Sequence, residues 1–177
     1  MNKSHLLFLF TVLVSFLLTA CSTPAAASGS ENLGKGPVST GQAACPVTQP
    51  PAEPFVPPKP WPETYPYAGR VWYGSAGLWT ALPEDGEWRQ LLYGDKFWWW
   101  SEEFDVEEDS TPNLVISARR LDGKAPEVLT DEATNGYHDS FNWAMLMGLT
   151  VETPGCWEIT GEYAGHTLSI VVWIPAE

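Results

Sequence analysis

The residues Thr153-Pro-Gly-Cys-Trp-Glu-Ile-Thr-Gly-Glu-Tyr-Ala-Gly-His-Thr-Leu-Ser-Ile-Val-Val-Trp-Ile174 read as a β-hairpin, and the fold class follows from them. In the first arm Trp157, Ile159 and Gly161 alternate with Glu158, Thr160 and Glu162. A period of two puts one set in a core and the other in water, so Trp157 is expected inside and Glu158 outside. Tyr163-Ala-Gly-His166 supplies the turn. In the second arm Leu168, Ile170, Val172 and Ile174 form the apolar set, and the intervening Val171 and Trp173 make this arm read as buried on both faces. Pro154-Gly155 leads into the hairpin, and Pro175 ends it because proline has no N–H to donate.

Upstream, from Tyr67, short apolar and aromatic runs alternate with turn signals, and no amphipathic helix of length is visible. Strands are predicted over Arg70–Tyr73, Leu78–Ala81, Trp88–Tyr93, Lys96–Trp100, Leu114–Leu121, Glu127–Leu129 and Phe141–Thr150, followed by the two hairpin arms. Gly74, Gly77, Pro83 to Gly86, Gly94-Asp95, Asp122-Gly123 and Asn135-Gly136 are read as the turns between them. Within Asn142–Leu149 the Ala, Met and Leu content also allows a helical turn or two. Strands at this spacing with Gly and Pro turns argue for an all-β sandwich.

The ending Pro154-Gly-Cys-Trp-Glu-Ile-Thr-Gly161, followed by a glycine-containing turn and an apolar strand, resembles the last two strands of immunoglobulin-like domains in bacterial lipoproteins. Their recurring pattern is Pro-Gly-x-Trp-x-Val-Thr-Gly and then a strand ending in Val-x-Val. Cys45-Pro-Val-Thr48, Gly77-Leu-Trp-Thr-Ala-Leu82 and Phe97-Trp98 resemble the same group, so the likeness covers most of the chain. It implies an immunoglobulin-like β-sandwich and an envelope location, and it brings no known active site.

The N-terminus carries an address. Lys3 and His5 precede an uncharged apolar run from Leu6 to Leu18, too short to span a bilayer and suited to the hydrophobic region of a signal peptide. Leu18-Thr-Ala-Cys21 resembles the lipobox of bacterial lipoproteins. That resemblance implies cleavage before Cys21, diacylglycerol on its sulfur and acylation of the new amino terminus with palmitate-type chains. Two or more chains anchor stably where one binds only marginally. The expected organisation is a signal peptide over 1–20, a flexible Ala/Ser/Gly/Thr-rich tether over 21–44, a proline-rich leader packed on the domain over 45–66, and the sandwich over 67–177. The leader holds nine of the sixteen prolines, which favours extended polyproline II. The protein is expected outside the cytoplasm, on the cell surface or the periplasmic face of a membrane.

Two cysteines remain after lipidation, Cys45 and Cys156. In an oxidising compartment an isolated pair is expected to be bridged, the alternative being two reduced, buried thiols. The formal charge is −13, and −14 once Lys3 leaves with the signal peptide, a balance that disfavours nucleic acid and anionic headgroups as partners. All ten tryptophans lie beyond residue 60, which implies an aromatic core, an aromatic binding face, or both.

No catalytic signature stands out. Gly74-Ser75-x-Gly77 has Tyr73 where a nucleophile elbow needs glycine. His138-Asp139-Ser140 puts three triad residue types in a row, but strand neighbours point to opposite faces, so a polar loop is the plainer reading. There is no His-Glu-x-x-His, Cys-x-x-Cys or phosphate-binding glycine loop, and no cofactor is expected. The acidic run from Glu102 to Asp109 could offer hard oxygen ligands to Ca²⁺ but fits no calcium-loop spacing, which leaves a solvated acidic loop as the alternative. Phe97-Trp98-Trp99-Trp100 is the most suggestive cluster. It reads either as a stacking platform for sugar rings on Trp98 to Trp100 or as a strand with one face in the core and the other under the proline-rich leader. The sequence thus points to a non-enzymatic binding or structural module at the envelope, with an unidentified protein or glycan as ligand.

Overall fold

Two antiparallel sheets make up the computed structural model, which describes residues 41–53, 55–57, 69–139 and 142–176. The strands among them are β1 (Arg70–Gly74), β2 (Trp79–Pro83), β3 (Asp95–Trp100), β4 (Val115–Arg120), β5 (Val128–Thr130), β6 (Thr134–His138), β7 (Asn142–Leu149), β8 (Gly155–Tyr163) and β9 (His166–Ile174). The first sheet runs β1-β2-β3-β7-β6 and the second β5-β4-β8-β9. The only helical pieces described are single 3₁₀ turns at Gln42–Ala44 and Arg89–Leu92. Cys21 and the segments read as signal peptide and most of the tether lie outside the described residues.

The terminal hairpin forms as its alternation predicts. β8 and β9 pair in unbroken register from Gly155↔Ile174 to Tyr163↔His166, around a two-residue turn in which Ala164 and Gly165 take φ 49° and 80°. Positive φ at both central positions matches the right-handed twist of the arms. Trp157, Ile159, Ile170, Val172 and Ile174 face inward and are buried, and they meet Phe97, Trp99, Met145 and Met147 from the other sheet in one core. Tryptophans and branched side chains from facing sheets thus supply the main hydrophobic term. Asn142–Leu149, open to either reading in the sequence, is a strand whose Met145, Met147 and Leu149 complete this core.

Alternation in β3 divides its aromatic run between two cores. Phe97 and Trp99 enter the intersheet core, while Trp100, with Trp98 beside it, joins Trp72, Trp79, Ala81 and Ala144 in a second cluster on the outward face of the first sheet. Trp100 meets Trp72 edge-on at 4.6 Å between ring centroids and stacks with Trp79 at 6.4 Å. Phe55 from the leader reaches this cluster, 5.6 Å from Trp79, and Pro57 is buried. The outward face of the second sheet is polar except at Val171 and Trp173 near the end of β9, with Arg119 paired to Glu158 at 2.7 Å and Thr160 bonded to Ser169 at 2.8 Å.

Residues 41–48, the end of the tether and the start of the leader, lie along β9. A disulfide joins Cys45 to Cys156 across 111 residues, with Cα atoms 5.5 Å apart. In the chain-entropy model closing so long a loop restricts the unfolded chain by about 4.7 kcal/mol. Thr48 N–H donates to Val171 O, and Val171 N–H returns a bond to the Thr48 hydroxyl, both at 2.8 Å. Gly41 sits so close to the Trp173 indole that a Cβ there would lie 2.9 Å from it. Trp173 is buried accordingly, so the second half of β9 is covered on both faces. The Trp173 backbone also bonds Gly86 O and Trp88 N–H, which closes this edge of the sheet.

Two sequence expectations are corrected. Trp88–Tyr93, read as a strand, holds the 3₁₀ turn Arg89–Leu92. Its buried side chains, Trp88 and Leu91, recur at a spacing of three, and the Trp88 indole N–H donates to the Asp95 carboxylate at 2.8 Å. Asn135-Gly136, read as a turn, lies inside β6. The glycine is there because the Trp98 indole crosses it, and a Cβ would lie 2.5 Å from that ring.

Candidate functional site

The sandwich has two unlike ends. The end holding the start of β8 and the finish of β9 carries the Cys45–Cys156 bond and is occupied by the leader and by residues 86–92. Here the Arg120 guanidinium bonds the Asp122 carboxylate at 2.8 Å. Partial burial pushes Asp122 upward, but Arg120 and the Cys156 main chain outweigh it and hold the carboxyl below its ordinary value.

The opposite end is closed by the loop from Ser101 to Leu114, which crosses from β3 to β4. Phe104 and Leu114 plug it from above, both buried. Its acidic residues are built into turns. Asp105 accepts the Glu107 N–H on its side chain at 2.9 Å and the Asp109 N–H on its main chain at 2.8 Å. The Ser101 hydroxyl caps Glu103 N–H at 3.1 Å. Asp109 ties the loop to both sheets: its carboxylate accepts the Tyr163 hydroxyl and its main-chain oxygen accepts the Asn135 side-chain N–H, each at 2.9 Å. Burial and this carboxylate raise the Tyr163 phenol above its ordinary value. Glu103 meets His166 at 3.0 Å, and the His166 ring lies against Gly77.

Each residue singled out in the sequence can now be placed. Trp99 and Trp100 are fully buried on opposite sides of the sheet and Trp98 is half-buried over Gly136, so the three do not make an exposed platform. The leader half of the alternative reading fits the contact of Phe55 with Trp79. Ser75 sits in the tight β1–β2 turn, its N–H bonded to Leu78 O. His138 is exposed at the end of β6 with its ring 6.3 Å from Trp98, Asp139 follows in the turn, and Ser140 lies outside the described residues. Among the described residues no three acidic, imidazole or thiol groups are gathered as a metal ion requires, the Glu102–Asp109 run included.

What the sequence reading missed is a pair of exposed aromatics. Tyr137 and Trp143 are cross-strand partners in β6 and β7, with ring centroids 5.5 Å apart and planes inclined at 62°. They are 54% and 44% exposed, although Trp143 has the strand parity of the buried Met145 and Met147. The pair therefore stands on the inward side of the first sheet at its very end, where no strand among the described residues faces it. Asn142, at φ 59°, sets the start of β7 just before Trp143, a conformation that asparagine tolerates. Treating Asn135-Gly136 as a turn hid this pair, because only a β6–β7 ladder brings the two rings together.

The clefts are at the other end and along one edge. Among the described residues one cleft of about 460 Å³ lies between β5 and the ends of β3 and β7, lined by Asp95, Lys96, Val128, Thr130 and Gly148 among others. Comparisons with protein-family models, with curated proteins and with solved structures each found no match, so no relative lends this chain a function.

Proposed function

We propose that this chain is a lipid-anchored, extracytoplasmic binding module on an immunoglobulin-like sandwich, without enzymatic activity. The carrying observation is the difference between the two ends. The leader, which connects back toward Cys21, is bonded covalently to the start of β8, and the opposite end is left to display loops and the Tyr137–Trp143 pair. A domain held by one end and exposing aromatic surface at the other is arranged for presentation. The immunoglobulin-like reading is supported by strand order. With β2 to β9 taken as A, B, C, C′, D, E, F and G, the sheets run A-B-E-D and C′-C-F-G, and β1 is an added edge strand.

Anchoring is tested by Cys21→Ala in cells fed labelled fatty acid. The native chain should take up label and sediment with membranes, and the variant should remain an unlabelled precursor of higher apparent mass. A variant processed to the native size and released would overturn the lipoprotein assignment.

A further inference from the structure

We infer that the Tyr137–Trp143 ledge receives a Lys- or Arg-bearing segment of a partner protein, which deepens the binding-module reading and rests on it. The first ground is ring geometry. Planes inclined at 62° with centroids 5.5 Å apart do not form the flat floor on which a pyranose ring lies. The rings meet edge to face and both are exposed, and exposed aromatic surface of this kind attracts a compact cation through the ring quadrupole.

The second ground is charge. The loop beside the ledge carries Glu102, Glu103, Asp105, Glu107, Glu108 and Asp109, all but Asp109 exposed, and Asp139 stands in the turn between the two aromatic strands. The loop is fastened to the ledge strand, since Asp109 O accepts the Asn135 side-chain N–H and Asn135 precedes Tyr137 by two on the same side of β6. No Lys or Arg occurs from 97 to 118 or after 124. The basic residues of the sandwich, Arg70, Arg89, Lys96, Arg119, Arg120 and Lys124, all fall toward the Cys156 end by strand register or loop position. Among the described residues the free end is thus acidic and carries no Lys or Arg, and such a field steers a positive partner to it. Exposed aromatic area then gives short-range hold that carboxylates alone do not.

The test uses the full-length lipidated chain in detergent micelles with a fluorescein-labelled hexa-arginine peptide, read by anisotropy at low and high salt. Trp143→Ala and Tyr137→Ala should each weaken binding about tenfold while lowering the melting temperature by only a few degrees, since both rings are about half exposed. Trp143→Phe should keep most of the affinity, and added salt should reduce it steeply. Because the aromatic variants leave net charge untouched, unchanged peptide affinity in both would mean bulk attraction only and would overturn the inference. A hexamer of N-acetylglucosamine is run in parallel. If it binds through Tyr137 and Trp143 while the peptide does not, the binding module stands and the cationic partner falls. If neither probe binds, the cationic assignment also falls, and the Cys21→Ala result still reports separately on anchoring.

Discussion

The outward faces of the two sheets have the same pleat and opposite fates. On the first, Trp72, Trp79, Trp98 and Trp100 make a second aromatic cluster reached by Phe55. On the second, Arg119, Glu158, Thr160 and Ser169 pair among themselves at the surface. The lesson is that a strand's alternation separates two faces without saying which of them is wet. That depends on what the rest of the chain lays over the sheet: Phe55 reaches the aromatic face, while on the other the upstream segment lies over Trp173 and leaves the Arg119–Glu158 and Thr160–Ser169 pairs at the surface.

If the outward cluster is a true core, Trp100→Ala should cost about 3–5 kcal/mol, as much as Trp157→Ala in the intersheet core. Both indoles are within 1% of complete burial, so denaturant melts should give similar losses for the two variants. A small effect at Trp100 beside a large one at Trp157 would break the equivalence and make the outward cluster a mere surface coat.

Gly136→Ala sharpens the comparison at lower energy. The added methyl meets the Trp98 ring, a side chain with one edge toward solvent, so a loss of about 1–3 kcal/mol is expected from overpacking. Trp98→Leu in the same background should recover part of it by making room. An Ala variant as stable as the native chain would mean that Trp98 moves aside freely and that β6 does not depend on this contact.

The smallest effect belongs to the polar face. Glu158→Ala removes the partner of Arg119, whose side chain is 60% exposed, and should cost less than about 0.5 kcal/mol. A loss comparable with that of Trp157→Ala would mean that the β8 register is slipped by one residue.

Much of the fold was readable because local chemistry agreed with it. The hairpin was visible in the alternation of Trp157 and Ile159 with Glu158 and Thr160, and Cys45 and Cys156 were expected to bridge. The misreadings have a common cause. Asn135-Gly136 has turn composition, yet its glycine serves an indole arriving from β3, two strands away in the sheet. Trp88-Arg-Gln-Leu-Leu92 has strand-like apolar content, yet Trp88 and Leu91 face one core at helical spacing and the indole finds its acceptor on Asp95. The candidate site suffered with them, since Tyr137 and Trp143 become a pair only once β6 exists.

By itself the sequence determined the class of the protein. Its period-two strands and turn residues are local or compositional properties, and they point to an all-β domain, with a bridge between Cys45 and Cys156 as the expected link. Only the tertiary structure decided which aromatics are covered and which are displayed. Burial is a relation between segments distant in the chain: Phe55 reaches Trp79, and Trp98 lies over Gly136. Trp143 has core parity yet meets no facing strand, and no period in the sequence records where the opposite sheet ends.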